Sequence, residues 1–123
     1  MEIGFTVGVW DLFHEGHRIF LERAKGLCDY LIVGVMTDYW VMVQKGTGRP
    51  IDSIVKRIEA ITSLVDKVIV IDTMDMTPYL QIADIWIKGE DQNKMRPEVW
   101  SNEIRLPRTP GVSTTHLINN LYM

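Results

Sequence analysis

Residues 3–17 read IGFTVGVWDLFHEGH, and the hydrophobic period changes in the middle of this stretch. Apolar side chains first alternate along the chain, as in a β-strand, at Ile3, Phe5, Val7 and Val9. Beyond the Trp10-Asp11 pair the period becomes helical, with apolar residues at Phe20, Ala24 and Leu27. A strand that leads directly into an amphipathic helix predicts the first half of a βαβ unit.

Further strands are indicated by short, nearly unbroken apolar runs at 30–36, 67–71 and 85–87, with a last strand at 103–106. Runs of this kind are typical of strands that are covered on both faces. Helices are expected after the N-cap candidate Ser53, at Thr77-Pro78 and from about Ser113. The alternation predicts an α/β fold, a three-layer sandwich with a mainly parallel five-stranded sheet and right-handed crossovers.

The irregular stretches are expected at 37–52 and 89–97, each following a strand. In open α/β sheets ligands lie beyond the carboxyl ends of the strands. These two loops and the turn after the first strand should therefore meet at one site.

Length and composition limit the class of protein. A chain of 123 residues, of which 46 % are hydrophobic and 24 % charged, predicts one soluble globular domain over 1–123 and excludes a disordered chain. The net charge of -3 disfavours a nucleic-acid binder. No apolar run is long enough to span a membrane, and the first residues lack the pattern of a signal peptide. The single Cys28 cannot form an internal disulfide, so a cytoplasmic location is expected.

A first candidate phosphate site lies at the start of the first helix. His14 and His17 fall on one face of the opening turn, and Gly16 between them lets a ligand approach the backbone. Imidazole donors beside a helix N-terminus attract phosphate. The simpler alternative is that one histidine caps the helix and the other lies on the surface. A closed zinc site is disfavoured, because the third histidine, His116, is distant and there is no thiolate cluster.

A second candidate lies near the carboxyl end of the chain. Arg108 precedes a Pro-Gly turn and three hydroxyls that begin at Ser113. One hydroxyl is needed as an N-cap, and three exceed that need. An arginine before a helix N-terminus predicts a second phosphate clamp.

Two loops could complete the site. Lys45 and Arg49, with Gly46 and Gly48 between them, indicate a basic lid over phosphates, although the Walker A order is missing and a solvated lysine is the common alternative. The segment 89–91 offers carboxylates for a ribose or base, with ordinary turn residues as the competing interpretation.

Four segments together carry a family resemblance: VGVWDLFHEGH, LERAK, DYLIVGVMTD and RTPGVSTT. They resemble the HxGH-type nucleotidylyltransferase superfamily, most closely the glycerol-3-phosphate cytidylyltransferase group. The resemblance implies a Rossmann-like fold, transfer of CMP or AMP from CTP or ATP to a phosphorylated small alcohol or similar acceptor, and release of pyrophosphate. It also implies Mg²⁺ held mainly by substrate phosphates, and a homodimer.

Residue roles follow from the same resemblance. It implies catalytic roles for His14, His17, Lys45 and Arg108. It implies nucleotide binding by Gly8, Val9, Asp11, Gly16, Asp91, Thr109, Ser113 and Thr114. Arg57 would reach the acceptor phosphate.

The chain departs from the family pattern at Val9, where the family usually has Thr or Ser, and after Lys45, where GTGRP is more similar to the sugar-phosphate adenylyltransferases. We expect a cytidylyltransferase that uses CTP and an acceptor such as glycerol 3-phosphate. The alternatives are an ATP-dependent sugar or alcohol phosphate enzyme and a non-catalytic nucleotide-binding regulatory domain.

Overall fold

The computed structural model describes residues 1–73, 75, 77–89 and 103–106. The strands are β1 (Ile3–Gly8), β2 (Tyr30–Met36), β3 (Lys67–Ile71), β4 (Ile85–Gly89) and β5 (Glu103–Leu106). The helices are α1 (Glu15–Gly26), α2 (Asp38–Lys45), α3 (Ile54–Ile61) and α4 (Thr77–Leu80), with a 3₁₀ turn at Thr62–Leu64.

The five strands form one sheet in the order β3-β2-β1-β4-β5, and every adjacent pair is parallel. The mainly parallel five-stranded sheet predicted from the apolar runs is therefore confirmed. The strand order reverses between β1 and β4, which makes the crevice beyond their carboxyl ends the topological switch point. Ligands of such sheets bind there, and β1 leads into this crevice at Gly8.

Helices cover both faces of the sheet. On one face Phe5 and Val7 pack with Val41 of α2. On the other face Val33 and Val35 pack with Leu21 of α1. Strand β2 is buried from Leu31 to Met36 because both of its faces are covered, which accounts for its unbroken apolar run. The three-layer α/β arrangement is confirmed.

One element differs from the sequence prediction. The stretch 37–52 was expected to be irregular, and its first half forms helix α2. Thr37 caps this helix, with its side-chain oxygen accepting the Trp40 N–H at 3.3 Å, and Val41 anchors it to the core. Gly46 then ends the helix at a positive φ of 97°. The glycines of the second half had suggested a longer loop than the protein contains.

Other predicted elements agree with the structure. Ser53 is the N-cap of α3, accepting the Lys56 N–H at 3.4 Å, and α4 begins at Thr77. The closing helix expected from about Ser113 and most of the expected loop 89–97 lie outside the described residues.

A close approach explains why Gly34 of β2 has no side chain. A Cβ at this position would lie 2.7 Å from Ile71 Cγ1 and 3.1 Å from Val7 Cγ2. Both neighbours are branched core side chains on adjacent strands, so neither can move without opening the core.

We predict that Gly34→Ala lowers the free energy of unfolding by about 1–3 kcal/mol through overpacking. Urea denaturation measures the change. Gly26→Ala is the matched control, because a Cβ at Gly26 meets nothing within 4 Å and alanine favours the end of α1. Equal stabilities of the two variants would contradict the packing argument.

Candidate active site

His14 and His17 are linked at the start of α1 by hydrogen bonds between the backbone N–H of each and the ring nitrogen of the other. His14 is the N-cap of α1, and its Nδ1 accepts the N–H of Gly16 at 3.0 Å and of His17 at 3.4 Å. The His14 N–H in turn donates to Nδ1 of His17 at 3.3 Å. This is a reciprocal capping box built from two imidazoles. The capping alternative considered for one of the histidines is correct for His14.

Capping leaves the opposite ring nitrogens for chemistry. Because each Nδ1 accepts a backbone N–H, each neutral ring carries its proton on Nε2. The rings stack at a centroid distance of 3.8 Å. Nε2 of His14 is buried and has no hydrogen-bond partner among the described residues. Two N–H donors are thus fixed at the start of α1, directly beyond β1, where the helix dipole also favours an anion.

Both imidazoles are held neutral. Burial, with a smaller contribution from the charge of His14, lowers the pKa of His17 from 6.5 to about 3. Burial also lowers the pKa of His14. At neutral pH the pair therefore offers hydrogen-bond donors rather than positive charge.

Aromatic side chains surround the His17 ring. Trp10 meets it edge-on at 5.6 Å and Phe13 lies at 5.4 Å, both between ring centroids. The Trp10 indole is fixed by its Nε1–H, which donates to the Gly34 carbonyl at 3.1 Å. A Cβ on Gly8 would lie 3.0 Å from Trp10 Cε2, so the glycine lets the indole lie across the end of β1.

The backbone between β1 and α1 is strained in order to place these groups. Trp10 and Leu12 have φ values of 60° and 47°, a left-handed conformation that costs free energy for residues with a side chain. Backbone strain of this kind concentrates at functional sites, where the surrounding structure holds it in place.

Asp11 ties this turn to the connection between α2 and α3. Its buried carboxylate accepts the N–H groups of Ile51 and Asp52, both at 2.8 Å, and that of Leu12 at 3.1 Å. Asp52 returns the contact by accepting the Leu12 N–H at 3.2 Å. The segment that follows Lys45 is thereby fixed against the segment that precedes His14. Asp11 thus organises the backbone, and its nucleotide-binding role stays a prediction.

Arg57 lies inside the protein, with a side chain that has no exposed surface. Its Nη1 donates to the carbonyls of Val9 and Met36, both at 2.8 Å, and its Nε donates to the Asp52 carbonyl at 3.1 Å. Its Nη2 pairs with Asp38. The guanidinium therefore joins the ends of β1 and β2 to the start of α3. Its expected role on the acceptor phosphate stays a prediction, and in this conformation its donors are occupied.

The other expected residues are of two kinds: those that the structure describes, and those that lie outside the described part of the chain. Lys45 is the last residue of α2, the helix that follows β2, and its side chain is exposed. Val9 lies on the β1–α1 connection, and Gly16 is the second residue of α1, between the two histidines in sequence. The remaining expected residues lie outside the described part of the chain: Asp91, Arg108, Thr109, Ser113 and Thr114. Their roles stay predictions.

A depression with a volume of about 760 Å³ lies at the opposite edge of the sheet. It is lined by Met1, Glu2, Asp29, Asp84, Ile85, Glu103 and Ile104, which stand near the amino ends of strands. Its carboxylates would repel a phosphorylated substrate, so the carboxyl edge remains the better candidate.

Sequence reasoning missed Asp38 and Asp52, whose contacts cross from one loop to another. Asp38 pairs with Arg57, and Asp52 bonds to the backbone of Leu12. In the sequence both resemble ordinary residues next to helix N-caps. Only Asp38 had a signal in the sequence, its position just after the predicted strand 30–36.

We predict that Arg57→Met lowers the free energy of unfolding by about 3 kcal/mol or more, because it leaves three carbonyls without their donor. Urea denaturation is the measurement. Arg18→Met is the control, since Arg18 pairs with Glu15 and Glu22 on the exposed face of α1, and it should cost much less. A stable Arg57→Met protein that binds its phosphorylated acceptor poorly would favour the acceptor role instead.

The lowered pKa of His17 predicts an acid-sensitive fold. Below pH 6.5 the unfolded chain takes up a proton that the folded protein excludes until the pH approaches about 3. This contribution to stability is therefore complete above pH 6.5 and is lost as the pH falls through that window, by about 1.4 kcal/mol per pH unit. His17→Gln lacks the titrating group and should show a flatter dependence in urea denaturation between pH 7.5 and pH 4.5. Parallel profiles would contradict the assignment.

Comparison with known proteins agrees with the geometry. A family model described as cytidylyltransferase-like matches residues 5–120. An ethanolamine-phosphate cytidylyltransferase from Dictyostelium discoideum is 39 % identical over 117 residues, covering 90 % of this chain and 32 % of the relative. The bifunctional protein HldE from Paramagnetospirillum magneticum is 33 % identical over 131 residues, covering 98 % of this chain and 27 % of the relative. The chain thus spans about a third or less of these two relatives.

The fold has a close counterpart among solved structures. A lipopolysaccharide core biosynthesis protein from Thermoplasma volcanium matches with a TM-score of 0.70 and 25 % identity, covering 89 % of this chain and 98 % of the other. The family model includes β1 with its histidine turn and extends through β5. The resemblance inferred from the sequence motifs is confirmed: the chain belongs to the cytidylyltransferase-like family, within the nucleotidylyltransferase superfamily.

Proposed function

We propose that the chain transfers CMP from CTP to the phosphate of a phosphorylated small alcohol such as glycerol 3-phosphate, with release of pyrophosphate. The observation that carries this proposal is the pair of neutral imidazoles at the start of α1, whose Nδ1 atoms are taken by backbone N–H groups. The arrangement commits both rings to donate from Nε2. Donors fixed at a helix start beside the switch point suit a polyphosphate.

The reaction needs alignment more than acid–base chemistry. An oxygen of the acceptor's phosphate forms a bond to the α-phosphorus of the nucleotide, while the bond from that phosphorus to the bridging oxygen of pyrophosphate breaks. The acceptor phosphate is already anionic, so no strong base is required. His14 and His17 donate hydrogen bonds to the charge that builds on the phosphoryl oxygens, and neither ring gains or loses a proton.

We propose that Mg²⁺ is held mainly by the substrate phosphates. The described residues contain no cluster of three or more histidine, cysteine, aspartate or glutamate side chains that could bind a metal. The Asp11 carboxylate is engaged with backbone N–H groups. A metal that keeps waters and binds through phosphates fits this donor set. It would supply charge neutralisation at the leaving pyrophosphate.

Two observations indicate which nucleotide and acceptor the chain uses. The relative from Dictyostelium discoideum is named an ethanolamine-phosphate cytidylyltransferase, which favours CTP and a phosphorylated alcohol. The GTGRP segment after Lys45 favours the second candidate, adenylyl transfer from ATP to a sugar or alcohol phosphate. A non-catalytic nucleotide-binding domain is the third candidate, because Val9 stands where the family usually has Thr or Ser.

A pyrophosphate-release screen of CTP, ATP, GTP and UTP against phosphorylated alcohols and sugars tests the proposal. We expect release with CTP and a phosphorylated alcohol, and a loss of about 10²-fold in kcat for His14→Ala or His17→Ala, as for removal of one transition-state donor. Lys45→Ala should lower the rate of pyrophosphate release from the nucleotide. Lys25→Ala, at the far end of α1, should leave that rate unchanged. Release that is unaffected in the double histidine variant would refute the mechanism, and binding without release would favour the regulatory domain.

We also propose a homodimer that forms at the β3 edge of the sheet. β3 is a terminal strand whose Val70 is 50 % exposed. Exposed apolar side chains stand on the helices on either side, with Tyr39 and Val43 on α2 and Val55 on α3. An exposed strand edge flanked by apolar side chains is typical of an interface.

Sedimentation equilibrium is expected to show a dimer that Val70→Lys dissociates, because a buried unpaired charge opposes the interface. Ile82→Lys is the matched control: Ile82 is 54 % exposed and lies between α4 and β4, away from the β3 edge. A monomeric wild-type protein, or equal effects of the two substitutions, would argue against this interface.

Membrane insertion finds no support in the helices that the structure describes, since none is long and apolar enough to span a bilayer. The cytoplasmic location expected from the single cysteine stays a prediction.

A further inference from the structure

Arg49 carries unused hydrogen-bond donors beside the candidate active site. Its side chain is 17 % exposed, and its Nε and Nη2 atoms are buried with no hydrogen-bond partner in the part of the chain that the structure describes. We propose that the Arg49 guanidinium binds a phosphate group of a substrate. This inference rests on the proposed function and deepens it by naming a phosphate ligand in the α2–α3 connection.

The two unpaired nitrogens form a matched pair. Nε–H and one Nη2–H point in the same direction from the planar guanidinium, so they form the side-on edge that binds two oxygens of one anion. Buried donors without partners are rare in folded proteins, because removing them from water costs free energy that nothing returns. A bound phosphate would satisfy both atoms at once.

The carboxylate that pairs with Arg49 among the described residues does not accept a hydrogen bond from these two atoms. Asp11 Oδ2 lies 3.8 Å from Arg49 Nε, beyond hydrogen-bond range. The same oxygen accepts the Ile51 N–H at 2.8 Å, which holds it on the backbone. Asp11 therefore attracts the guanidinium toward the β1–α1 turn without occupying its donors.

Arg57 provides an internal comparison. It lies in the same region and is fully buried, and Nε, Nη1 and Nη2 all donate to protein oxygens. The described residues thus supply a partner to every nitrogen of the Arg57 guanidinium and leave Nε and Nη2 of Arg49 without a hydrogen-bond partner. Arg49 is the one suited to an incoming anion.

Open space lies beside the two glycines that precede Arg49 in the α2–α3 connection. Gly46 and Gly48 adopt positive φ values of 97° and 91°, and a Cβ on either glycine would meet nothing within 4 Å. A phosphate can therefore approach the backbone of this connection without a steric clash. Nearby carboxylates do not oppose it strongly, because Asp38 pairs with Arg57 and Asp52 with Lys56.

The experiment compares the wild-type chain with two variants. Arg49→Gln removes both the charge and the side-on pair of N–H donors, and Arg49→Lys keeps the charge alone. Isothermal titration calorimetry with MgCTP and, separately, with glycerol 3-phosphate identifies which phosphate Arg49 holds. We expect the Kd for one of these ligands to rise about 10- to 100-fold in Arg49→Gln and less in Arg49→Lys. Arg18→Gln is the control for loss of an arginine on the exposed face of α1.

Melting temperature without ligand provides the second measurement. Arg49→Gln should melt at or above the wild-type temperature, since it removes unpaired buried donors, in contrast to Arg57→Met. The proposal is overturned if both Kd values stay within about twofold of wild type, if the wild type binds neither ligand, or if both Arg49 variants melt well below wild type with unchanged Kd. If binding depends on Arg49 but no pyrophosphate is released, the proposed transfer reaction is refuted, whereas the phosphate contact of Arg49 is still supported.

Discussion

A single buried carboxylate holds the candidate site together. Asp11 accepts three backbone N–H groups, one from its own turn and two from a segment some forty residues later in the chain. An ionised carboxylate that receives several N–H bonds fixes the backbone firmly. Together with the Asp52 contact to Leu12 and the Arg57 contact to the Val9 carbonyl, these bonds fix the turn that presents the histidines against the connection that carries Arg49.

The electrostatic character of the candidate site would be unusual for one that binds polyanions, as the proposed function requires. The histidine pair is neutral, and several carboxylates lie close by. Under the proposed function, the attraction for a polyanion comes from the helix dipole, from N–H donors of fixed direction and from a small number of cations such as Arg49. Fixed donors stabilise developing charge without reorganising during the reaction, which suits a step that requires alignment above all.

The fold could be predicted from local patterns to a large extent. Strands such as 30–36 are apolar on both faces, and Ser53 signals the start of α3, so periodicity and capping were enough. Helix α2 was missed because the run 39–43 is apolar throughout and shows no helical alternation with polar residues, and because Gly46, Gly48 and Pro50 suggested a loop. Contacts between distant segments left no local pattern. Nothing in the sequence shows that Arg57 faces the carbonyls of Val9 and Met36, or that Nε and Nη2 of Arg49 have no hydrogen-bond partner among the described residues.

Contact between Trp10 and His17 has an optical consequence. Indole emission responds to the charge and polarity of adjacent groups, and this indole lies edge-on to an imidazole that donates at the start of α1. The protein holds four tryptophans, and Trp40 and Trp86 lie on the other face of the sheet, among the side chains that pack with Phe5. Trp10 is therefore a natural fluorophore beside the candidate site, and the proposed nucleotide binding is expected to change its intrinsic emission, so that no added dye is needed.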